Sequence, residues 1–245
     1  MTLRDLIHAD DDLLPTKALV IVAHPDDIDF GTAGTVATFT DHGVEVVYAL
    51  VTCGQAGEPA DLSPTELTEI RQAEQTAAAK VVGVTEIHWL GFPDGAVTAD
   101  LELRKAISRL IRIVRPDVVI THTPERNWDR IYSSHPDHLA TGEAVAAAVY
   151  PDSRNGHSFP ELLAEGHVPH SVPRLWLMAG SDNTIFVDIS GAIDRKIAAL
   201  LEHHSQNDGR AEALPGLIRE WSAKAADEAG FGAAAVEGFR LVITE

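Results

Sequence analysis

Apolar residues in this chain fall into short, mostly unbroken runs at 18–23, 44–51, 85–90 and 116–122. The first, Ala-Leu-Val-Ile-Val-Ala, has no polar alternation at all, which predicts a strand buried on both faces, as in a parallel sheet. Helical stretches lie between the runs: 32–42 closed by Gly43, 64–82 closed by Gly83, 100–115 ending at Pro116, and an Ala-rich 139–149. Ser63-Pro64-Thr65-Glu66 offers an N-cap, a proline at the first helical position and a capping-box glutamate, so the second helix has a defined start. After residue 150 the pattern loosens. Segment 150–173, with four prolines, reads as a long loop or small insertion able to wall a pocket. Beyond it, 174–179 and 184–189 predict short strands, 193–202 and 214–229 helices, and 238–244 a last strand at the sheet edge.

Strands alternating with helices predict an α/β fold. The expectation is a Rossmann-like, doubly wound, mostly parallel sheet with helices on both faces and strand order 3-2-1-4-5, counted in order of appearance. No repeat, low-complexity tract or linker divides residues 1–245. One domain is expected, with 1–17 as an N-terminal tail whose acidic run, Asp10 to Asp12, is solvated.

Composition narrows the functions. Apolar residues at 45% and charged residues at 23% are ordinary globular values. Nineteen basic against 37 acidic residues give a net charge of −18, which argues against nucleic acid or an anionic membrane as partner. A lone Cys53 excludes an internal disulfide and a cysteine-built zinc site, so any metal must rest on histidine and carboxylate. Residues 1–17 hold no apolar core of signal-peptide length and no run is long enough to span a bilayer, so a cytoplasmic enzyme is the expectation.

The candidate chemistry begins where the first run stops, at His24-Pro25-Asp26-Asp27. Proline makes the turn rigid and presents His24 and Asp27, at i and i+3, to one point, which is half of a metal site. Asp26 has no ligand duty there and is a candidate general base beside a metal-bound water. His135-Pro136-Asp137-His138 repeats the device 135 − 24 = 111 residues later, after the fourth predicted strand. In the order 3-2-1-4-5 the first and fourth strands are neighbours at the switch point, so both turns open on one crevice. His122 ends the fourth strand and faces the same crevice. The remaining histidines, His203 among them, lack a partner at ligand spacing and read as surface or hydrogen-bonded core residues. A non-catalytic nucleotide-binding domain is the competing class. Against it, the first turn is not glycine-rich, Gly31-x-x-Gly34 lacks the full fingerprint, and carboxylates repel a pyrophosphate.

With both turns in hand, the chain resembles the zinc-dependent N-deacetylases of the PIG-L/LmbE type, which remove acyl groups from amino sugars such as N-acetylglucosamine derivatives and from related amines. Their pattern, Ala-His-Pro-Asp-Asp followed by His-Pro-Asp-His, stands here as Ala23 to Asp27 and His135 to His138. The resemblance implies one deacetylase domain in which His24, Asp27 and His138 bind zinc and Asp26 is the base. It also implies that His135 is the acid or electrostatic helper, with Asp137 orienting it. Arg71 and Glu74, with Asp94-Gly95, match further family positions, and by that likeness Arg71 and Asp94 contact sugar hydroxyls. Lys196 and His203-x-Ser205-Gln206 also have the family's spacing. The chain departs from the family after the Asp pair, where Ile28 and then Asp29 replace the usual Glu. The implied substrate is a small-molecule N-acyl amino sugar, with a mycothiol-type thiol conjugate as the alternative amide. Fe2+ or another divalent ion fits the same ligand set. A homo-oligomer is left open.

Overall fold

A computed structural model describes residues 1–9, 11–12, 14–207 and 209–245. The chain runs α1 (Leu3–Leu6), β1 (Ile7–Ala9), β2 (Lys17–Val22), α2 (Asp27–Gly31), α3 (Ala33–Asp41), β3 (Glu45–Leu50), α4 (Pro64–Val81) and β4 (Glu86–Trp89). It continues through α5 (Leu101–Val114), β5 (Val118–His122), α6 (Pro136–Ala147), α7 (Pro160–Ala164), β6 (Arg174–Met178) and β7 (Ile185–Asp188). It closes with α8 (Ile193–Leu201), α9 (His204–Asn207), α10 (Leu214–Ala229) and β8 (Val236–Ile243).

The strands form one mixed sheet in the order β1-β7-β8-β6-β5-β2-β3-β4. The five strands β4-β3-β2-β5-β6 keep the expected order 3-2-1-4-5, but the expectation is corrected in that the sheet is mixed and runs on to eight strands. The strands from β4 to β6 are mutually parallel, but β8, β7 and β1 extend the sheet beyond β6 in antiparallel fashion. Two segments account for the difference. Residues 236–243 pair with β6 on one side and β7 on the other, so the last strand is internal and not at an edge. The N-terminal segment is not a solvated tail: Leu6 and Ile7 are buried, β1 pairs with β7, and Asp11 holds Arg174 through two bonds of 2.6 and 2.9 Å. Asp10 lies outside the described residues.

The unbroken apolar run of β2 is explained by its two covered faces. Ala18, Val20 and Val22 pack with the layer of α3 and α8, while Leu19 and Ile21 pack with α5 and α6. Truncating either of the latter to alanine removes about 2–5 kcal/mol. The start of α4 has the foreseen cap: the Ser63 hydroxyl accepts from Glu66 N–H, and the Glu66 carboxylate accepts from Ser63 N–H at 2.9 Å. Segment 150–173 is pinned to α5. Buried Arg112 donates to the carbonyls of Asp152, Ser153, Asn155 and Ser158, and Arg104 grips the Asp152 carboxylate at 2.9 and 3.0 Å.

β2 and β5 are adjacent and parallel, paired from Ala18↔Val118 to Ile21↔Thr121, so their carboxyl ends finish level. Gly142 then lets α6 lie close against the end of β5. A Cβ there would meet the His122 carbonyl oxygen at 2.5 Å and the Pro124 nitrogen at 2.9 Å. His138 is one turn earlier on the same helix face, so this close approach carries it toward the β2 turn.

Candidate active site

The two His-Pro-Asp turns meet at the carboxyl edge of the sheet. The Asp27 carboxylate is the junction: Oδ1 is 3.0 Å from His138 Nε2, and Oδ2 is 3.3 Å from His24 Nδ1 and 3.2 Å from His122 Nε2. His24 N–H also donates to Oδ2 at 2.7 Å, which sets the carboxylate's rotation. The His122 and His138 rings stack at 4.1 Å. Among the described residues, three overlapping sets of donors have ligand atoms within 4.8 Å of one another: His24, His135 and His138; Asp27, His122 and His138; and His24, Asp94 and Asp137.

Electrostatics give this cluster its character. His24 is pushed up to about 12: burial works against its charge, but the charge of Asp27 together with hydrogen bonds to Asp137, Asp27 and Asp94 outweighs it. Its Nε2 lies 3.1 Å from Asp94 and 3.2 Å from Asp137, so Nε2 carries the hydrogen and Nδ1 faces Asp27. A histidine backed by carboxylates, with its other nitrogen turned toward a third, is how proteins present imidazole to a metal. Asp27 is held well below the ordinary carboxylate range; burial opposes this, but His138, His122 and His24 prevail. His122 is fully buried and driven down to about 4 by burial first and the charge of His138 second, so its ring is neutral. The site as built calls for positive charge among nitrogen and oxygen donors, and a divalent cation fits it.

Asp26 stands apart from this junction. Its backbone is left-handed, at φ 86°, a conformation that costs a non-glycine residue about 1 kcal/mol or more. Buried residues of α4 hold it there: Gln75 Oε1 accepts its N–H at 2.9 Å, and Arg71 places a guanidinium 3.3 Å from its carboxylate. Burial raises the Asp26 carboxyl to about 6 against the pull of Arg71. It is therefore ionised at neutral pH, and close enough to titrating to accept a proton.

His135 is exposed at the mouth and caps α6, its Nδ1 accepting from Asp137 N–H at 3.2 Å. That bond assigns the hydrogen to Nε2, which is free to donate. Burial, and then the charges of His24 and His138, lower its pKa and keep the ring neutral.

Other side chains lie differently from expectation. The Asp137 carboxylate is on His24, Gly95 N–H at 2.7 Å and Val97 N–H at 3.2 Å, and not on His135. Asp94 turns to His24 and accepts from Ala56 N–H at 2.8 Å. Arg71 donates to Pro25 O at 2.6 Å and Gly54 O at 3.1 Å, bracing the loops around the site. Asp29, where the chain departs from the family pattern, is fully buried and bonded to His203 at 2.8 Å and Gln75 at 3.0 Å. Sequence reasoning missed Gln75. Its signal was a polar residue four positions after Arg71, on the same helix face.

The family profile described as PIG-L, GlcNAc-PI de-N-acetylase, matches residues 19–149. Diacetylchitobiose deacetylase of Thermococcus kodakarensis is 36% identical over 195 residues, covering 78% of this chain and 70% of that protein. The probable N-acetyl-alpha-D-glucosaminyl L-malate deacetylase 2 of Bacillus anthracis is 28% identical over 222 residues, covering 82% of this chain and 92% of the relative. Among solved structures, N,N'-diacetylchitobiose deacetylase from Pyrococcus horikoshii, complexed with its inhibitor MPG, superposes with a TM-score of 0.86 at 31% identity, covering 94% of this chain and 84% of the other.

Proposed function

Because the chain belongs to the PIG-L family of de-N-acetylases, we propose that it forms one deacetylase domain that hydrolyses the N-acetyl amide of a small N-acetylglucosamine-containing compound. It is an amide-hydrolysing N-deacetylase acting on an amino sugar. The observation that carries the residue assignment is the meeting of the two turns at Asp27, with the ionised carboxylate of Asp26, on a left-handed backbone, beside the junction.

In this reading His24 Nδ1, Asp27 and His138 Nε2 hold zinc, a role their nitrogen and oxygen donors also allow Fe2+ to fill. When bound, the ion polarises the amide carbonyl and lowers the pKa of water beside it toward 7. Asp26 takes the proton of the attacking water and delivers it to the departing amine. The Nε2–H of neutral His135 donates to the oxygen that gains charge as the carbonyl becomes tetrahedral. Asp94 and Asp137 receive the Nε2–H of His24 and keep its Nδ1 aimed at the junction. Buried Arg71, bonded to the Pro25 carbonyl, braces the Asp26 turn in this reading, and the substrate-hydroxyl role suggested for Arg71 and Asp94 is secondary to these contacts.

The direct test is release of acetate and free amine from N-acetylglucosamine and from diacetylchitobiose. Asp26→Asn is expected to lower kcat by about 100-fold or more while metal stays bound. Near-normal turnover by that variant would remove Asp26 from the base role. The thiol-conjugate amide is separated by offering it beside these two substrates.

A further inference from the structure

The carboxylate of Asp26 acts from a backbone at φ 86°, a conformation that its surroundings must fix. The turn's own ligand residue does not: Asp27 is held by His24, His122 and His138. Asp26 instead leans on α4, through Arg71 at its carboxylate and Gln75 at its backbone N–H. Gln75 is fully buried, and both ends of its amide are spoken for. An N–H can only donate, so the oxygen must face Asp26. A carboxylate can only accept, so the NH2 must face Asp29, whose Oδ2 lies 3.0 Å away. That oxygen also receives His203 Nε2 at 2.8 Å, and both Asp29 and His203 are fully buried. The result is a chain of hydrogen bonds that converges on Asp29: Asp26 N–H donates to Gln75, and both Gln75 and His203 donate to the Asp29 carboxylate.

We infer that Gln75 is a positioning residue for Asp26, its amide locked in one orientation by the Asp29–His203 pair, so that the base is fixed independently of the metal ligands. This rests on the assignment of Asp26 as the base. It also explains the departure after the Asp pair: Ile28 is a fully buried core residue, and Asp29 supplies the acid that anchors Gln75.

The test compares Gln75→Met, which keeps the size of the side chain and removes the acceptor, with Asp29→Asn, which leaves Gln75 in place but removes the charge that orients it. Both are assayed as metal-loaded protein on an N-acetylglucosamine substrate. Gln75→Met should lower kcat by about 10- to 100-fold, the scale of a misplaced catalytic group, with KM within twofold and metal content unchanged. Asp29→Asn should show the same signature at about threefold or more. In combination with Asp26→Asn, Gln75→Met should cost nothing further, because it acts through the residue already removed. Retention of kcat within twofold by both variants, loss of metal together with activity, or additive losses with Asp26→Asn would overturn the inference. If Gln75→Met does not fold, Asp29→Asn decides alone on the same criteria. An active Asp26→Asn enzyme would fault the base assignment, whereas an inactive one beside a normal Gln75→Met faults only the positioning role.

Discussion

At the scale of single residues, the site separates charge from constraint. His24, Asp27 and His138 compensate one another across about 3 Å, while Arg71 favours the ionised form of the half-buried Asp26. The buried His203–Asp29 pair behind it gives a pH prediction. Burial opposes the charge on His203, but the hydrogen bond to Asp29, then the charges of Asp29, Asp26 and Glu74, raise its pKa above the ordinary value. A raised folded-state pKa means that protonation stabilises the fold. The contribution is complete below about 6.5, the unfolded value, and is lost as pH rises through the higher folded value. Thermal melts of metal-loaded protein should therefore lose stability from neutral toward alkaline pH, and His203→Gln should flatten that loss. Equal slopes for the two proteins would contradict the assignment. The ligand candidates were legible in the sequence because each half-site is contiguous and follows a strand. The target of Asp137 was not, since the N–H groups of Gly95 and Val97, some forty residues away, decide which way its carboxylate turns.

At the scale of elements, two contacts place the site. Gly142 sets the distance between α6 and β5, because its missing side chain is what the His122 carbonyl occupies. Elsewhere in a helix, glycine to alanine gains about 1 kcal/mol. Here Gly142→Ala should instead destabilise the protein by about 1–3 kcal/mol in urea unfolding and weaken metal binding, by forcing His138 away from Asp27. Arg112 does for segment 150–173 what a linker does not: it donates to five of that segment's carbonyls from α5. Arg112→Met leaves them without a donor and should cost about 2–4 kcal/mol, read as a lower urea midpoint. A midpoint unchanged from wild type would show the segment to be held by other contacts. Hydrophobic runs and caps made most helices and central strands legible. They were silent on β1 and on the internal place of β8, because a three-residue strand has no periodicity and a two-sided antiparallel strand reads like an edge one.

At the scale of the whole molecule, a sheet extended by three antiparallel strands carries both turns on its parallel part, where adjacent strand ends form a crevice. The net charge of −18 is distributed over a chain in which, among the described residues, no helix is long and apolar enough to cross a membrane. Within that acidic molecule the site concentrates carboxylates from three segments, Asp27, Asp94 and Asp137, around one imidazole, and so depends on bringing distant parts of the chain together. That convergence is the central claim, and elemental analysis of the wild type beside His138→Ala tests it most directly. About one divalent metal per chain in the wild type, lost in a His138→Ala protein that remains folded, is the predicted result. A folded wild type that takes up no metal after reconstitution, or a variant that keeps its full complement, would contradict it.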